Sequence, residues 1–521
     1  MEETAQSWRD RRLLLFAAFG AAVALFGFPP GRLWLLALLA PAPLIAFSVQ
    51  NPPKAAARAG FAYGFGFFSG LIYWIAYTLT VFGYLHWVIS VPILLLFVSY
   101  LALYPALFSF GVSRLSENGG PKWALAAAPI LWTGLEWARS YLFTGFGWGD
   151  IPQALWRERW ALDLAPSVGA GGVLFLALCL NVAAAWLFLP GKEKRASAAA
   201  LAVPAAALTV LGVLYSTEKP ASELVRKGVA GIVQGNIPQG SKWEPTQNDA
   251  IMKRYRDLTL KLTGEGKADF ILWPETAVPG FVQFDNFEKR AVEAAAKAAK
   301  TPLIFGAPAV EAVPGGKRQD RNGVFSISET GGILGRYDKV HLVPFGEYVP
   351  LAGILPFISK LTQASGDFRP GTAVFPVPFG KEGLKAGPLV CFESIFPELA
   401  TAQAKAGAEI LVVLTNDAWF GNTSAPEQHL AYSAWRAAEN GLWLARAANT
   451  GISAVFDGQG EMISSTKLDE TVSFLAEVEY RRSDGLLQSK LSPLTGPFSL
   501  LLAIVIYSVI LRPSKKPGKK V

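Results

Sequence analysis

Long apolar runs constrain the fold of this chain more than any other feature. A helix of roughly 18 or more apolar residues is long enough to cross a bilayer. We predict eight such spans, at about 12–29, 33–49, 58–82, 88–112, 123–144, 164–190, 198–216 and 493–511. Of the 521 residues, 51% are hydrophobic and 17% are charged, whereas soluble chains carry about a quarter charged residues. The sequence therefore predicts a polytopic membrane protein.

Basic residues in the short connecting loops predict its orientation, because they favour the cytoplasmic side. They precede the first span and follow the second, fourth, sixth and eighth, in SWRDRR, Lys54 and Arg58, Arg114 and Lys122, GKEKR and RPSKKPGKKV. Loop 83–87 carries no Lys or Arg, although Arg157 and Arg159 fall on the predicted outer side. Both termini are thus predicted to be cytoplasmic. The net charge of +8 follows from this bias, so we expect no nucleic-acid partner.

Residues 217–490 contain no such span and are predicted to form one extracytoplasmic domain, between a membrane domain at 1–216 and a last span with a basic tail at 491–521. Short apolar strands alternate in it with amphipathic helices, which is typical of α/β layers with covered sheets. The predicted helices cover about 246–264, 286–300, 396–407 and 425–448, and the predicted strands include 228–235, 269–273, GPLVC and EILVVLTND. Catalytic residues of such folds tend to lie where a strand meets a loop.

Three candidate catalytic residues, Glu275, Lys339 and Cys391, lie at such strand ends. Singly, each has an ordinary explanation: a carboxylate in a turn, a solvated lysine and a small buried side chain. Together they suit acyl transfer, because a thiol attacks as the thiolate, a carboxylate can take its proton, and an ammonium stabilises the substrate oxyanion. Cys179, the second of two cysteines, lies in an apolar run, so Cys391 has no evident disulfide partner.

Histidine, the more usual partner of a reactive cysteine, offers weaker candidates. His86 lies at a membrane edge, His341 lies two residues after Lys339, and His429 begins a helix. A Cys–His–Asn protease through His341 or His429 stays open, without a supporting signature. Three scattered histidines and no H-E-x-x-H motif predict no metal site. The absence of a phosphate-binding glycine run agrees with an enzyme that needs no cofactor.

The order WPE, DKVHLVPFGEYVP and CFES resembles the Glu–Lys–Cys pattern of the nitrilase, or carbon–nitrogen hydrolase, superfamily, and RAAENGLWLARAANTG resembles its later helix and strand. With seven spans before the domain and one after it, the whole chain resembles the apolipoprotein N-acyltransferase family within that superfamily. The resemblance implies an extracytoplasmic α-β-β-α sandwich on a helical membrane domain. It also implies a bacterial inner-membrane enzyme that takes an acyl chain from phosphatidylethanolamine or a similar phospholipid. The enzyme would hold the chain as a thioester and pass it to the α-amino group of a diacylglyceryl apolipoprotein.

The same resemblance implies roles for single residues: Glu275 as base, Lys339 as oxyanion stabiliser and Cys391 as nucleophile. Four further side chains match supporting positions, of which the tryptophan resembles a mobile residue near the mouth of the site: Glu347, Glu393, Asn322 and Trp243. Two departures are visible. Phe392 stands where many members have Tyr, and FTGFGWGD stands where relatives commonly show Gly-Phe-Pro-Trp.

Two further segments allow more than one interpretation. The apolar segment 349–358 is either a membrane-dipping lid, with Leu351, Leu355 and Phe357 reaching the lipid beside Phe392, or an ordinary core loop. In the fifth span, Glu136 and Arg139 share one helical face, which predicts either a structural pair or a pair that holds a phospholipid head group or the base of the outer domain.

Two rival functions stay open beside the acyltransferase. A membrane-tethered amidase would use the same three residues with water as acceptor, but a hydrolase of small amides has no use for seven spans. A transporter or receptor would carry an inactive outer domain. The intact set of Glu275, Lys339 and Cys391 argues against that reading.

Overall fold

The computed structural model describes residues 2–191, 222–284, 286–312, 318–348, 368–483 and 487–510. Within these ranges, ten α-helices precede residue 192: α1 (Glu2–Ala22), α2 (Trp34–Leu39), α3 (Pro41–Gln50), α4 (Pro53–Leu71), α5 (Trp74–Val81), α6 (Trp87–Gly119), α7 (Pro121–Tyr141), α8 (Ile151–Ala154), α9 (Arg159–Leu162) and α10 (Ala165–Ala185). The later helices are α11 (Asn248–Glu265), α12 (Phe287–Ala299), α13 (Pro397–Lys405), α14 (Ala425–Asn440) and α15 (Leu487–Ile510).

Two of the described helices are long and apolar enough to cross a membrane, namely α6 and the segment Ala165–Phe188 that contains α10. A third is added if the bent pair α4 and α5 is counted as one span. The prediction of eight spans is therefore not confirmed, although the N-terminal part is helical and apolar as expected. The predicted span 198–216 lies outside the described residues.

Three of the predicted spans are interrupted. The run 33–49 divides into α2 and α3, because Pro41 has no N–H with which to continue the first helix. Helices α4 and α5 meet at 52° after Leu71. Within α10, Gly169 adopts φ +67, outside helical geometry. Each break frees backbone groups from the helical ladder, and these groups need other partners away from water.

The described residues from 222 onward form two six-stranded sheets, ordered β12-β1-β2-β3-β4-β5 and β11-β10-β9-β8-β7-β6. The strands are β1 (Glu223–Gln234), β2 (Phe270–Leu272), β3 (Leu303–Ala312), β4 (Arg318–Ile327), β5 (Ile333–Asp338), β6 (Val377–Phe379), β7 (Leu384–Val390), β8 (Ile410–Thr415), β9 (Leu444–Ala448), β10 (Ala454–Phe456), β11 (Met462–Ser465) and β12 (Val472–Arg482). Strands β1 to β3 are parallel, as are β7 to β9. The carboxyl ends within each parallel set therefore meet at one edge.

The two sheets pack face to face, with Phe270 and Ile304 of the first against Val390 and Val412 of the second in one buried cluster. Helices α11 and α12 cover the outer face of the first sheet, and α13 and α14 cover that of the second. The predicted α/β layers are confirmed, in the order helix, sheet, sheet, helix that the resemblance implied.

The predicted helix 425–448 is wrong at its end. Helix α14 stops at Asn440, and Gly441 follows in the left-handed region with φ +62, a common way to end a helix. Residues Leu444–Ala448 form β9 in the middle of the second sheet. The apolar sequence of this segment is a buried strand, which periodicity alone does not separate from a buried helix.

Helix α14 lies between the second sheet and the N-terminal helices. Apart from Glu427, all of its residues are buried. One apolar cluster joins Leu174 of α10, Trp435 of α14 and Val413 of β8. The α/β domain is therefore packed against the helical domain over a continuous core.

Candidate active site

The ends of three strands carry the predicted catalytic residues. Glu275 lies shortly after β2, Lys339 directly after β5 and Cys391 directly after β7. Their exposed fractions are only 6%, 1% and 8%. Cys391 begins the 3₁₀ turn Cys391–Ile395 with φ +52, an uncommon conformation for a residue that has a Cβ. Backbone strain of this kind is often found at functional sites, and here it turns the chain sharply at the sulfur-bearing residue.

Lys339 is shared between two carboxylates. Its Nζ lies 2.9 Å from Glu347 Oε2 and 3.5 Å from Glu275 Oε1. Asn322 Nδ2 donates to Oε1 of both glutamates, at 2.8 Å to Glu275 and 2.9 Å to Glu347. Glu275, Glu347 and Asn322, to which the resemblance assigned roles, therefore lie around Lys339. The Asn322 amide holds the two glutamates at a fixed separation.

Glu275 is also held from the opposite side. Its Oε2 accepts a hydrogen bond from the backbone N–H of Asn416, at 3.0 Å, just past β8. Gly306 of β3 allows this turn to pack closely, because a Cβ there would lie 2.4 Å from the Thr276 nitrogen. The carboxylate is thus oriented before any substrate arrives, which is what a general base requires.

The electrostatics of the site keep the resting thiol protonated. Burial and the Glu275 carboxylate raise the pKa of Cys391, while the Lys339 ammonium lowers it. Burial lowers the pKa of Lys339, but Glu347 and Glu275 raise it by more, so the ammonium stays charged. A protonated thiol needs a base at the moment of attack, and Glu275 is the carboxylate that acts on it most strongly.

Glu393 links the segment that carries Lys339 to the segment that carries Cys391. Its Oε1 accepts from the Tyr337 hydroxyl and from the backbone N–H groups of Val340 and His341, at 2.9, 2.7 and 3.1 Å. Its Oε2 accepts from Val390 N, at 2.8 Å. Burial raises the pKa of Glu393 to about 7, against these donors. This residue acts on the geometry of the site through the backbone.

Two comparisons place the chain among known proteins. Residues 229–480 match the family model for carbon-nitrogen hydrolases, and residues 20–183 match that for the apolipoprotein N-acyltransferase N-terminal domain. A relative from Geobacter metallireducens named apolipoprotein N-acyltransferase is 37% identical over 90% of this chain and 89% of its own. The chain belongs to the apolipoprotein N-acyltransferase family. The family predicted from the sequence is therefore confirmed, and with it the class of acyltransferases.

A second relative agrees with this membership. A Vibrio cholerae apolipoprotein N-acyltransferase is 33% identical over 88% of this chain and 89% of its own. Among solved structures, an amidase from Nesterenkonia sp. is 22% identical, with a TM-score of 0.38, over 53% of this chain and 98% of that one.

His429 contacts the backbone of the nucleophile. His429 Nε2 donates to the carbonyl oxygen of Cys391, at 3.0 Å, and its Nδ1 lies 2.9 Å from Asp417 Oδ1. Arg446 pairs with the other Asp417 oxygen at 2.8 Å. The imidazole thus holds the backbone of the nucleophile, which argues against the Cys–His alternative through His429.

His341 and Phe392 form an aromatic contact beside the nucleophile. The His341 ring centroid lies 3.9 Å from that of Phe396 and 5.8 Å from that of Phe392. Burial and then Lys339 lower the pKa of His341 to about 4, so the ring is neutral near pH 7. Phe392 and Phe396 belong to the apolar core of the helical domain. Phe392, which stands where the resemblance led us to expect Tyr, therefore packs against the N-terminal helices.

The remaining predicted residues lie in different surroundings. Trp243 is 36% exposed on a turn before α11. Leu351, Leu355 and Phe357 of the predicted lid lie outside the described residues. Arg139 pairs with Glu136 and also donates to the carbonyls of Phe146 and Trp148, which favours the structural interpretation of that pair.

Two residues of the site were missed by the sequence prediction. Asn416 follows β8 and orients Glu275, so the strand-end rule applied to EILVVLTND would have found it. Lys242 is 1% exposed, and its Nζ donates to the Glu275 carbonyl at 3.0 Å. No sequence signal separates this lysine from a solvated one. Among the described residues, no group of three or more His, Cys, Asp or Glu side chains could hold a metal ion.

Proposed function

We propose that this chain is a phospholipid-dependent N-acyltransferase, which moves a fatty acyl group through a Cys391 thioester onto the α-amino group of the diacylglyceryl-cysteine of an apolipoprotein. The observation that carries the proposal is the buried cluster of Glu275, Lys339 and Cys391 in a domain packed directly on apolar helices. Family membership supports the acceptor, because the relatives are named apolipoprotein N-acyltransferases.

The first half-reaction transfers the acyl group to sulfur. Glu275 takes the thiol proton as the Cys391 sulfur attacks the ester carbonyl of the phospholipid. The Lys339 ammonium stabilises the oxyanion that forms. The carbonyl–oxygen bond then breaks, Glu275 returns the proton to the departing alkoxide, and a lysophospholipid leaves.

The second half-reaction transfers the acyl group to nitrogen. The α-amine of the acceptor attacks the thioester carbonyl, Lys339 again stabilises the oxyanion, and Glu275 takes a proton from the nitrogen. The carbon–sulfur bond breaks, and Glu275 gives that proton to the departing thiolate, which restores the Cys391 thiol. An ester becomes a thioester and then a more stable amide, so this scheme needs no added energy source, and a ping-pong kinetic pattern is expected.

A membrane location supports both steps. Each lipid tail resists transfer into water by about 0.8 kcal/mol per CH₂ group, so a soluble enzyme would extract its substrates at great cost. We infer a multi-pass protein of the bacterial inner membrane with cytoplasmic termini. Its membrane domain comprises residues 1–216, its periplasmic domain residues 217–490, and its last span and tail residues 491–521.

Mass spectrometry of the purified protein tests the proposal. After incubation with phosphatidylethanolamine of one acyl length, the peptide that contains Cys391 is expected to gain the mass of that acyl group. A diacylated lipopeptide should discharge it. Cys391→Ala should gain nothing, while Cys179→Ala, which removes the other buried thiol, should behave as the wild type.

Two outcomes would contradict the proposal. Absence of the acyl mass from Cys391 in a folded protein would exclude the thioester. Rapid discharge by water, with no transfer to the lipopeptide, would indicate the amidase-like alternative.

A further inference from the structure

A second lysine lies buried beside the base, outside the three catalytic residues. Lys242 belongs to the turn between β1 and α11, and its side chain is as buried as that of Lys339, at 1% exposure. Its Nζ donates to the backbone carbonyl of Glu275, at 3.0 Å. Within the part of the chain that the structure describes, no carboxylate forms an ion pair with it. Burying an ammonium whose hydrogen-bond partner is a neutral carbonyl costs free energy. This cost indicates that Lys242 has a function at this position.

The charges around Cys391 indicate what that function is. Among the described residues, Lys339 is the single ammonium within ion-pair distance of both Glu275 and Glu347, at 3.5 and 2.9 Å. Two carboxylates thus share one positive charge. Ionisation of the Cys391 thiol would add a third negative charge to a site that water barely reaches. Like charges in such a site oppose ionisation strongly.

We propose that Lys242 is a second activating cation, which offsets the negative charge that appears on the Cys391 sulfur and holds Glu275 in position through its carbonyl. With Lys242, two ammonium groups balance Glu275 and Glu347 before the thiol ionises. Lys242 is a positioning residue in this scheme, because it acts on the nucleophile through the field and through the Glu275 backbone.

The titration of Lys242 agrees with this arrangement. Burial lowers its pKa to about 8, and Glu275 and Cys391 oppose that decrease. Since the pKa is depressed, the positive charge is present below about pH 8 and is lost above it. The other titratable groups that face this region are Lys339, Glu347 and Glu275 and, after β8, Asp417, whose carboxylate is paired with Arg446. Burial opposes the charge on Lys339, but Glu347 and Glu275 keep it at these pH values.

The turn that carries Lys242 reaches Glu275 by a second route. Gln239 of the same turn accepts a hydrogen bond from Asn416 Nδ2, at 2.6 Å. The backbone N–H of Asn416 in turn donates to Glu275 Oε2, at 3.0 Å. The half-exposed Trp243 is the direct neighbour of Lys242. A ligand that moves this turn would therefore change both the orientation of the base and the charge beside the thiol.

Alkylation of Cys391 by iodoacetamide tests the inference in a Cys179→Ala background, from about pH 6 to about pH 10. Loss of one nearby cation is expected to raise the thiol pKa by about one unit, which slows alkylation of Lys242→Met about tenfold below pH 8. The difference should shrink above pH 8, where the wild-type lysine loses its charge. Lys242→Arg should retain the faster rate and extend it to higher pH. Lys253→Met, on the exposed side of α11, is the matched control and should not differ from the wild type.

The inference rests on the proposed function only in taking Cys391 as the nucleophile, and alkylation needs neither phospholipid nor apolipoprotein. A failed acyl transfer with intact Lys242 dependence would thus overturn the proposed substrates alone. If Lys242→Met is folded by thermal unfolding yet alkylates with the wild-type rate and pH profile, the inference is overturned. If Lys242→Met does not fold, Lys242→Gln against Lys242→Arg makes the same comparison. Equal pH profiles for that pair would likewise overturn the inference.

Discussion

The two sheets of the α/β domain are covered by helices with different neighbours. In α11, which covers the first sheet, the buried residues lie on one face: Ile251, Met252, Tyr255, Thr259 and Leu262. In α14, which covers the second sheet, every residue except Glu427 is buried. Both helices are amphipathic in sequence, but the polar face of α11 meets solvent while that of α14 meets the helical domain. An amphipathic pattern therefore predicts that the polar face of a helix meets polar groups. Those groups can belong to another part of the protein instead of to solvent.

Polar side chains of α14 form hydrogen bonds with backbone groups at two of the helix breaks. Gln428 Nε2 donates to the carbonyl of Leu71, the last residue of α4, at 3.2 Å. Glu439 Oε1 accepts from Ala170 N, directly after the break at Gly169, at 2.8 Å. Lipid could not supply these partners. Since His429 of the same helix binds the Cys391 carbonyl, the nucleophile is held by the element that joins the two domains.

The largest expected effect comes from a buried ion pair. Arg436 and Glu439 of α14 lie 2.8 Å apart with exposures of 2% and 0%, whereas Lys253 and Asp257 of α11 are 74% and 48% exposed. Arg436→Met leaves a buried carboxylate unpaired and should cost about 3–5 kcal/mol in the free energy of opening of α14 near pH 7. Lys253→Met should cost no more than about 0.5 kcal/mol for α11. Hydrogen exchange of the two helices measures both.

The pH dependence of Arg436→Met follows from Glu439. Burial raises the pKa of Glu439 above its usual value of 4.5, and Arg436 opposes this. Because the folded pKa is raised, the cost of the unpaired charge is absent below about pH 4.5 and grows as the pH rises through the folded pKa. Glu439→Gln in the same chain removes that charge. If the double variant is as unstable as Arg436→Met near pH 7, the unpaired charge is not the cause.

Gln428 is expected to give the next largest effect. Its Oε1 accepts from the indole N–H groups of Trp74 and Trp148, at 3.2 and 2.8 Å, while its Nε2 serves Leu71 O. Gln428→Leu leaves buried polar groups unpaired, at about 1–3 kcal/mol. The expected result is faster exchange in α14 and at the break between α4 and α5. Arg256→Leu on the exposed side of α11 is the control, and it should change the free energy of opening of α11 by no more than about 0.5 kcal/mol. Equal effects of the two substitutions would mean that α14 is not more tightly held than α11.

Much of the α/β domain and of the site was predictable from local patterns. The strands flanking Glu275, Lys339 and Cys391 are apolar runs that end in turns, so the strand-end rule selected these residues, and the resemblance added Glu347, Glu393 and Asn322. The structure brings all six into one connected cluster. The strand-end rule alone does not bring these residues together, because β2 and β5 belong to the first sheet and β7 to the second. Their meeting depends on the face-to-face packing of the two sheets.

The remainder depends on contacts between distant segments. The residues around Lys242 in the sequence do not distinguish it from an exposed loop lysine. It is a buried cation because the folded chain brings Glu275 against it. The breaks after Leu71 and at Gly169 lie within continuous apolar runs, and their partners lie hundreds of residues away in α14. The end of α14 was misplaced because LWLARAA suits a buried helix or a buried strand, and its place in the sheet decides between them.

His429 offers a smaller effect, confined to the nucleophile. Its Nε2 and the Ser394 hydroxyl both donate to the carbonyl of Cys391, at 3.0 and 2.9 Å, and so fix a residue with φ +52. Replacing His429 by Gln should slow formation of the acyl-enzyme about tenfold, as expected for the loss of about 1.4 kcal/mol from one hydrogen bond to a reacting segment. Mass spectrometry over time measures the rate. A wild-type rate would show that Ser394 alone suffices.

Two buried tyrosines give the smallest and most closely matched comparison between the layers. The Tyr432 hydroxyl of α14 accepts from Gly149 N at 3.2 Å and donates to Gly147 O at 3.3 Å. Among the described residues, the Tyr255 hydroxyl of α11 has one hydrogen-bond acceptor, Asn449 Oδ1, at 3.5 Å. Both rings are buried, at 3% and 0%, so a change to Phe removes only the hydroxyl. Tyr432→Phe should cost about 1 kcal/mol, seen as faster exchange at Gly149. Tyr255→Phe should leave the stability of α11 nearly unchanged, since a hydrogen bond of that length contributes little. A larger loss of stability for Tyr255→Phe than for Tyr432→Phe would mean that α14 gains no more from its polar contacts than α11 does.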